Sequence, residues 1–229
     1  MQKNILIIGS SSRIGREVIK LSASKGDNIY ATSRSPIDIS VKQFFQLDPN
    51  EDLSELDSLP ESIDALVYFP GSISLKSIQR MNISDIREDF RINFEGAFHI
   101  IKKVLPNLKK DDGASVVFVS SVAASTGMTF HSSIAASKSA LEGFARSLSA
   151  ELAPRVAVNC IAPSLTDTPL AEHLINNENK LKFSEERHPL NTIGDPESVA
   201  KVIYNLFSAK ENWITGQTIN IDGGLSTLR

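Results

Sequence analysis

The stretch ILIIGSSSRIG, Ile5 to Gly15, places an apolar run directly before Gly9, then small residues, then Ile14-Gly15 at the opening of a helical pattern. A run of this kind reads as a buried strand that ends in a sharp glycine turn. The helix that follows would aim its free amino-terminal N–H groups and its dipole at the turn, which suits a phosphate. Reading outward, strand-length apolar runs recur as IYAT, FFQL, ALVYF, SVVFV, VAVNCI and TINI. Between most of them lie stretches with helical periodicity, at Arg13 to Ser24, Ser84 to Leu105, Ser137 to Leu152 and Pro196 to Ser208. Strand and helix in alternation imply parallel strands joined by crossover helices, an α/β doubly wound sheet of about seven strands with helices on both faces. Asp195-Pro196 supplies an N-cap and a proline at the first helical position of the last helix. The connection between IYATSR and FFQLD is only about nine residues, which leaves no room for a full helix. No linker or repeat interrupts the series, so residues 1–229 read as a single domain.

Net charge is -3, with no dense Lys/Arg run, so nucleic acid and anionic membranes are not expected partners. Cys160 is the only cysteine. It can form no intramolecular disulfide, and its apolar setting VNCIAP predicts a packed thiol in a reducing cytoplasm. The amino-terminal apolar run is too short for a signal peptide or a membrane span.

With these residues in place, the chain resembles the short-chain dehydrogenase/reductase family over nearly its whole length. The family loop Thr-Gly-x-x-x-Gly-x-Gly is matched by Gly9 and Gly15, with Ile8 for the threonine and Arg13 for the middle glycine. INFEGAFHIIKKVLP resembles the family's fourth helix, SVVFVSSVAA its fifth strand, VAVNCIAPSLTDTP its nicotinamide-carboxamide loop, and ITGQTINIDGG its tail. The resemblance implies a Rossmann-type fold that binds a dinucleotide through Gly9, Ser11, Arg13, Ile14, Gly15, Gly71, Lys138, Pro163, Thr166 and Thr168. Asp48 matches the family aspartate that caps adenine, and an aspartate opening a turn before proline is its alternative. After the second strand Ser33 and Arg34 stand where an acidic ribose ligand would be expected; a hydroxyl and a planar cation suit a 2′-phosphate, favouring NADP over NAD. Asn93 and Ser121 occupy the family's catalytic asparagine and serine positions. Two departures lie beside them: Tyr68-Phe69-Pro70-Gly71 for Asn-Asn-Ala-Gly, and Pro163-Ser164 for Pro-Gly.

The family's Tyr-x-x-x-Lys pair is altered in HSSIAASK, His131 to Lys138, where Ile134 fills the tyrosine position. Helix spacing puts His131, Ile134 or Ala135, and Lys138 on one stripe. This pattern resembles the Tyr-x-x-x-x-x-x-Lys spacing of the divergent enoyl-acyl-carrier-protein reductases, with histidine in tyrosine's place. Imidazole transfers protons near neutrality, so His131 is the expected donor, with Lys138 on the ribose, Ser121 on the substrate carbonyl and Asn93 ordering the helix. A cap or surface role for His131 is the alternative. Ser132 and Ser133 read as helix caps, and Tyr68 as the one tyrosine near the crevice. Pro169 to Leu190 reads as a helical hairpin that covers an apolar ligand, and packing on the core is its alternative. His173 and His188 lack metal-ligand spacing, and no metal is expected. The expectation is an NADP(H)-dependent oxidoreductase that reduces a carbonyl or enone, forming homodimers or homotetramers. Its alternative is an inactive NADP(H)-binding protein acting as a sensor or an oligomer partner.

Overall fold

A computed structural model describes residues 2–208 and 213–228. Its strands are β1 (Asn4–Ile8), β2 (Asn28–Ser33), β3 (Gln43–Gln46), β4 (Ala65–Tyr68), β5 (Ala114–Val119), β6 (Val156–Pro163) and β7 (Thr218–Ile221). All are parallel, in the order β3-β2-β1-β4-β5-β6-β7. The helices are α1 (Arg13–Ser24), α2 (Ile83–Phe90), α3 (Gly96–Leu108), α4 (Ser132–Leu152), α5 (Glu172–Ile175), α6 (Glu178–Glu186) and α7 (Pro196–Ser208). This is the Rossmann-type α/β fold that the alternation implies.

The two-residue period of the strands divides the core into two layers. Ile5, Ile7, Val67, Val117 and Ile161 face α1 and α7. Leu6, Ile8, Leu66, Tyr68, Val116 and Phe118 face α3 and α4. Because both faces are covered, the strands read as continuous apolar runs, which is why the sequence exposes them. The chain leaves β1 in one direction to β2 and returns on its other side as β4, so the strand order reverses there and a crevice opens at the carboxyl ends. No helix joins β2 to β3. Asp195 caps α7 by accepting from the Ser198 N–H at 2.9 Å, and Cys160 is fully buried in β6, its thiol pushed up to about 12 by burial.

Three expectations are corrected. The helix over Ser84 to Leu105 is α2 and α3 joined by a π-helical turn, Arg91–Glu95. The Asn93 side-chain amide donates to the Asp89 carbonyl, 2.8 Å away, competing for the acceptor that a regular turn gives to a backbone N–H. Helix α4 begins at Ser132, not Ser137, because Ser133 and Ile134 are already buried against the body. Ser132 and Ser133 therefore lie inside its first turn rather than capping it, and the buried Ser133 hydroxyl has no hydrogen-bond partner. Tyr68 is packed in the α3 layer, away from the crevice, with its hydroxyl donating to the Ile92 carbonyl at 3.3 Å.

Candidate active site

The segments that follow β1, β4, β5 and β6 meet at the carboxyl edge of the sheet. Gly9 turns the chain out of β1 with φ +78°, and a Cβ there would lie 2.9 Å from the Pro70 ring. Only glycine combines this backbone with so close a neighbour. Ser12 caps α1, its hydroxyl accepting from the Gly15 N–H at 3.0 Å. A Cβ on Gly15 would press on that hydroxyl at 2.7 Å. Ser11 is exposed beside it. Arg13 reaches across the crevice mouth to Asp167 in the loop after β6, 2.7 Å away. Both partners are half exposed, so the pair is worth little in stability. It does tie the two lips together.

At the outer end Ser33 is buried and its hydroxyl donates to the Ser35 carbonyl, while Arg34 is exposed. Asp48 accepts from the Asn50 N–H at 2.9 Å, the turn-forming geometry of its alternative reading. It does not line the central cavity.

That cavity, about 330 Å³, is lined by Ile14, Gly71, Ser121, His131, Ile134, Lys138, Pro163, Thr166 and Thr168 among others. Lys138 is only 5% exposed, and its ammonium donates to the Val119 carbonyl at 2.8 Å. Burial brings its pKa down to about 8, with Cys160 and Glu142 opposing. Asn93, fully buried in the π-turn, accepts from the Ser72 N–H at 3.2 Å and donates to the Ser72 hydroxyl at 3.0 Å. A Cβ on Gly71 would sit 3.1 Å from both Asn93 Oδ1 and Lys138 Nζ. Gly71 thus lies where the asparagine and the lysine converge, and a side chain there would press on both.

Ser121 accepts from the Ala123 N–H at 3.2 Å, which leaves its hydroxyl proton free to donate. His131 stands at the N-cap position of α4 without a capping bond. Its Nδ1 contacts the Thr129 carbonyl at 2.7 Å. A carbonyl can only accept, so Nδ1 carries hydrogen and Nε2 is the ring nitrogen left outside that bond. Ile134 is a buried wall between His131 and Lys138. Thr166 is buried, donating to the Ser164 carbonyl at 3.0 Å, and Thr168 precedes the short helical turn Pro169–Ala171.

Sequence reasoning missed three polar groups in this neighbourhood. The Ser164 hydroxyl meets His188 Nε2 at 2.8 Å, and His188 Nδ1 donates to the Ser184 carbonyl at 2.7 Å, so the ring holds Ser164 from a site that is 4% exposed. Ser72 donates to Asp89 at 2.6 Å, and Ser120 to Glu142 at 2.6 Å. Spacing gives no signal for such pairs; the one available hint was Ser164 itself, standing where a glycine was expected. Among the described residues no group of three or more His, Cys, Asp or Glu is placed to hold a metal ion. No described helix is long and apolar enough to cross a membrane.

Residues 52–226 match a family model described as enoyl-(acyl carrier protein) reductase. Over 97% of both chains the protein is 32% identical to the 3-oxoacyl-(acyl-carrier-protein) reductase FabG of Thermotoga maritima. It is 30% identical to a tropinone reductase homologue of Arabidopsis thaliana, covering 98% of this chain and 91% of the other. Among solved structures, ligand-free aldohexose dehydrogenase of Thermoplasma acidophilum superposes with a TM-score of 0.92 at 26% identity, covering 100% of this chain and 95% of that one.

Proposed function

Because this chain belongs to the short-chain dehydrogenase/reductase family, we propose that it is an NADP(H)-dependent reductase of a carbonyl or enone in which His131 is the proton donor. The observation that carries the reading is the shared cavity: Ser121, His131 and Lys138 line one space, with Ile134 between the two basic groups.

The residues fit a dinucleotide. The glycine turn at Gly9 leads into the capped first turn of α1, where helix N–H groups lack carbonyl partners. Arg13, Arg34 and the Pro163 to Thr168 loop complete the lips, and exposed Arg34 is the group available to a 2′-phosphate. Bound there, the dinucleotide supplies the hydride. Lys138 holds the ribose, and Ser121 donates to the substrate oxygen. With Nδ1–H committed to Thr129, the imidazolium of His131 gives its Nε2 proton to that oxygen. The lid, Pro169 to Leu190, closes the substrate end. We place oligomer contacts on α3 and α4, where Phe98 is an exposed aromatic packed edge-on against Phe144.

Stopped-flow oxidation of NADPH against a panel of ketones and enones tests this. Native protein is expected to turn over, and His131→Ala to lose about 10²–10⁴ in rate. Turnover that survives His131→Ala removes the imidazole from the mechanism. Tight NADPH binding with no turnover on any substrate makes the protein an inactive dinucleotide holder.

A further inference from the structure

We infer that the substrate carries an anionic group, a carboxylate or a phosphate ester, at the end of an apolar body, and that Lys180 and Arg187 on α6 and just after it receive this group. The inference rests on the reductase reading and names its substrate class.

The chain as a whole is acidic, at -3, yet the charged residues lining the cavity are Lys138, Lys180 and Arg187, with no aspartate or glutamate. Helix periodicity explains how this comes about. Lys180, Phe183, Ser184 and Arg187 recur at i, i+3, i+4 and i+7, one stripe of the helix, and all four line the cavity. The same segment also contains Glu178, Glu185 and Glu186, none of which does. A helix with this many carboxylates thus turns only its cations inward.

Those cations are held without being neutralised. The Lys180 ammonium donates to the His173 carbonyl and to Asn176 Oδ1, both at 2.9 Å. Both acceptors are uncharged, and a third N–H remains. Arg187 is exposed and has no ion pair among the described residues, whereas Lys182 on the outer stripe lies 3.9 Å from Glu186. The neighbouring carboxylates are engaged elsewhere: Asp167 with Arg13, Glu142 with Ser120, and Asp222 with Ser226. The same cavity is lined by Ile73, Leu75, Met128, Leu170 and Leu174, an apolar wall shared with these cations. An Arg fork and a Lys ammonium in a cavity with such a wall match an anionic terminus on a hydrocarbon body. The dinucleotide phosphates do not account for them, because Lys180 and Arg187 belong to the lid segment and not to the glycine turn.

The test compares a straight-chain keto acid, its phosphate-ester analogue and its methyl ester as substrates with NADPH, in native protein and in R187Q, K180Q and K182Q. Native protein is expected to prefer an anionic substrate over the methyl ester by about tenfold or more in kcat/KM, the size of a charge-assisted contact. R187Q and K180Q should remove that preference through KM, leaving the ester unchanged, and K182Q should alter nothing. Keto acid against phosphate ester identifies which anion is preferred. Equal efficiency for anions and ester in native protein, or equal losses for both in R187Q, overturns the inference. If no substrate turns over, the reductase reading fails, and calorimetric binding of octanoate against octanamide to the NADP complex decides this one separately. Octanoate bound about tenfold tighter, with the difference lost in R187Q, upholds the anion site; equal affinities reject it.

Discussion

Lys138 shows how one side chain is placed against its own stability. Its pKa falls from 10.5 to about 8, first because burial penalises the charged form. The folded state therefore binds this proton less firmly than the unfolded chain does. The penalty is present in full below pH 8 and disappears as pH rises from 8 to 10.5. Lys138→Met is expected to be more stable than native protein at pH 7 by an amount on the order of 3 kcal/mol, the gap closing toward pH 10.5 in urea titrations. The same variant should bind dinucleotide more weakly, so stability and binding move in opposite directions. A constant gap across this pH range would contradict the burial argument. His131 and Lys138 were legible as a pair because helix spacing relates residues seven apart. Ser164 and His188 were not, because the fold alone brings them together.

At the scale of elements, the turn after β1 concentrates several demands on Gly9. Its φ of +78° is costly for any residue with a Cβ, and that Cβ would meet Pro70 at 2.9 Å and Phe69 at 3.2 Å. Gly9→Ala is expected to cost about 1–2 kcal/mol from the backbone alone, with more from the clash, and to weaken dinucleotide binding; thermal unfolding and NADPH titration measure both. The strands were readable since each is buried on both faces and bounded by turn residues. The π-turn at Arg91–Glu95 was not, since the apolar period runs through α2 and α3 with no break that a sequence pattern records. Its cause is a side-chain amide competing for a backbone acceptor, a contact made only once Ser72 and Asp89 are in place.

Across the whole molecule the sheet is clamped between two apolar layers, and α1 with α7 closes one of them. Phe207 of α7 is almost wholly buried there, among Val18, Ile19 and Ile203. Phe207→Ala removes a large core side chain and is expected to cost about 3–5 kcal/mol in urea-induced unfolding. A cost below 1 kcal/mol would mean that the layer rearranges to fill the space. The candidate site lies at the carboxyl ends of the strands, so such a variant should lose stability before it loses dinucleotide affinity.

The order of strands and helices, the glycine turn and the positions of Asn93, Ser121, His131 and Lys138 were determined by the sequence alone. The strands, the helices, the turn and the His131–Lys138 pair rest on a local period, a backbone requirement or a short spacing along one element, and Asn93 and Ser121 on the resemblance to the family. Tertiary structure decided what no linear spacing encodes: the Arg13–Asp167 tie, the Ser164–His188 couple, the burial that lowers Lys138, and the turning of α6 that presents Lys180 and Arg187 to the cavity. These depend on segments distant in the chain meeting at one edge of the sheet, and only the packing of the two layers sets where that edge lies.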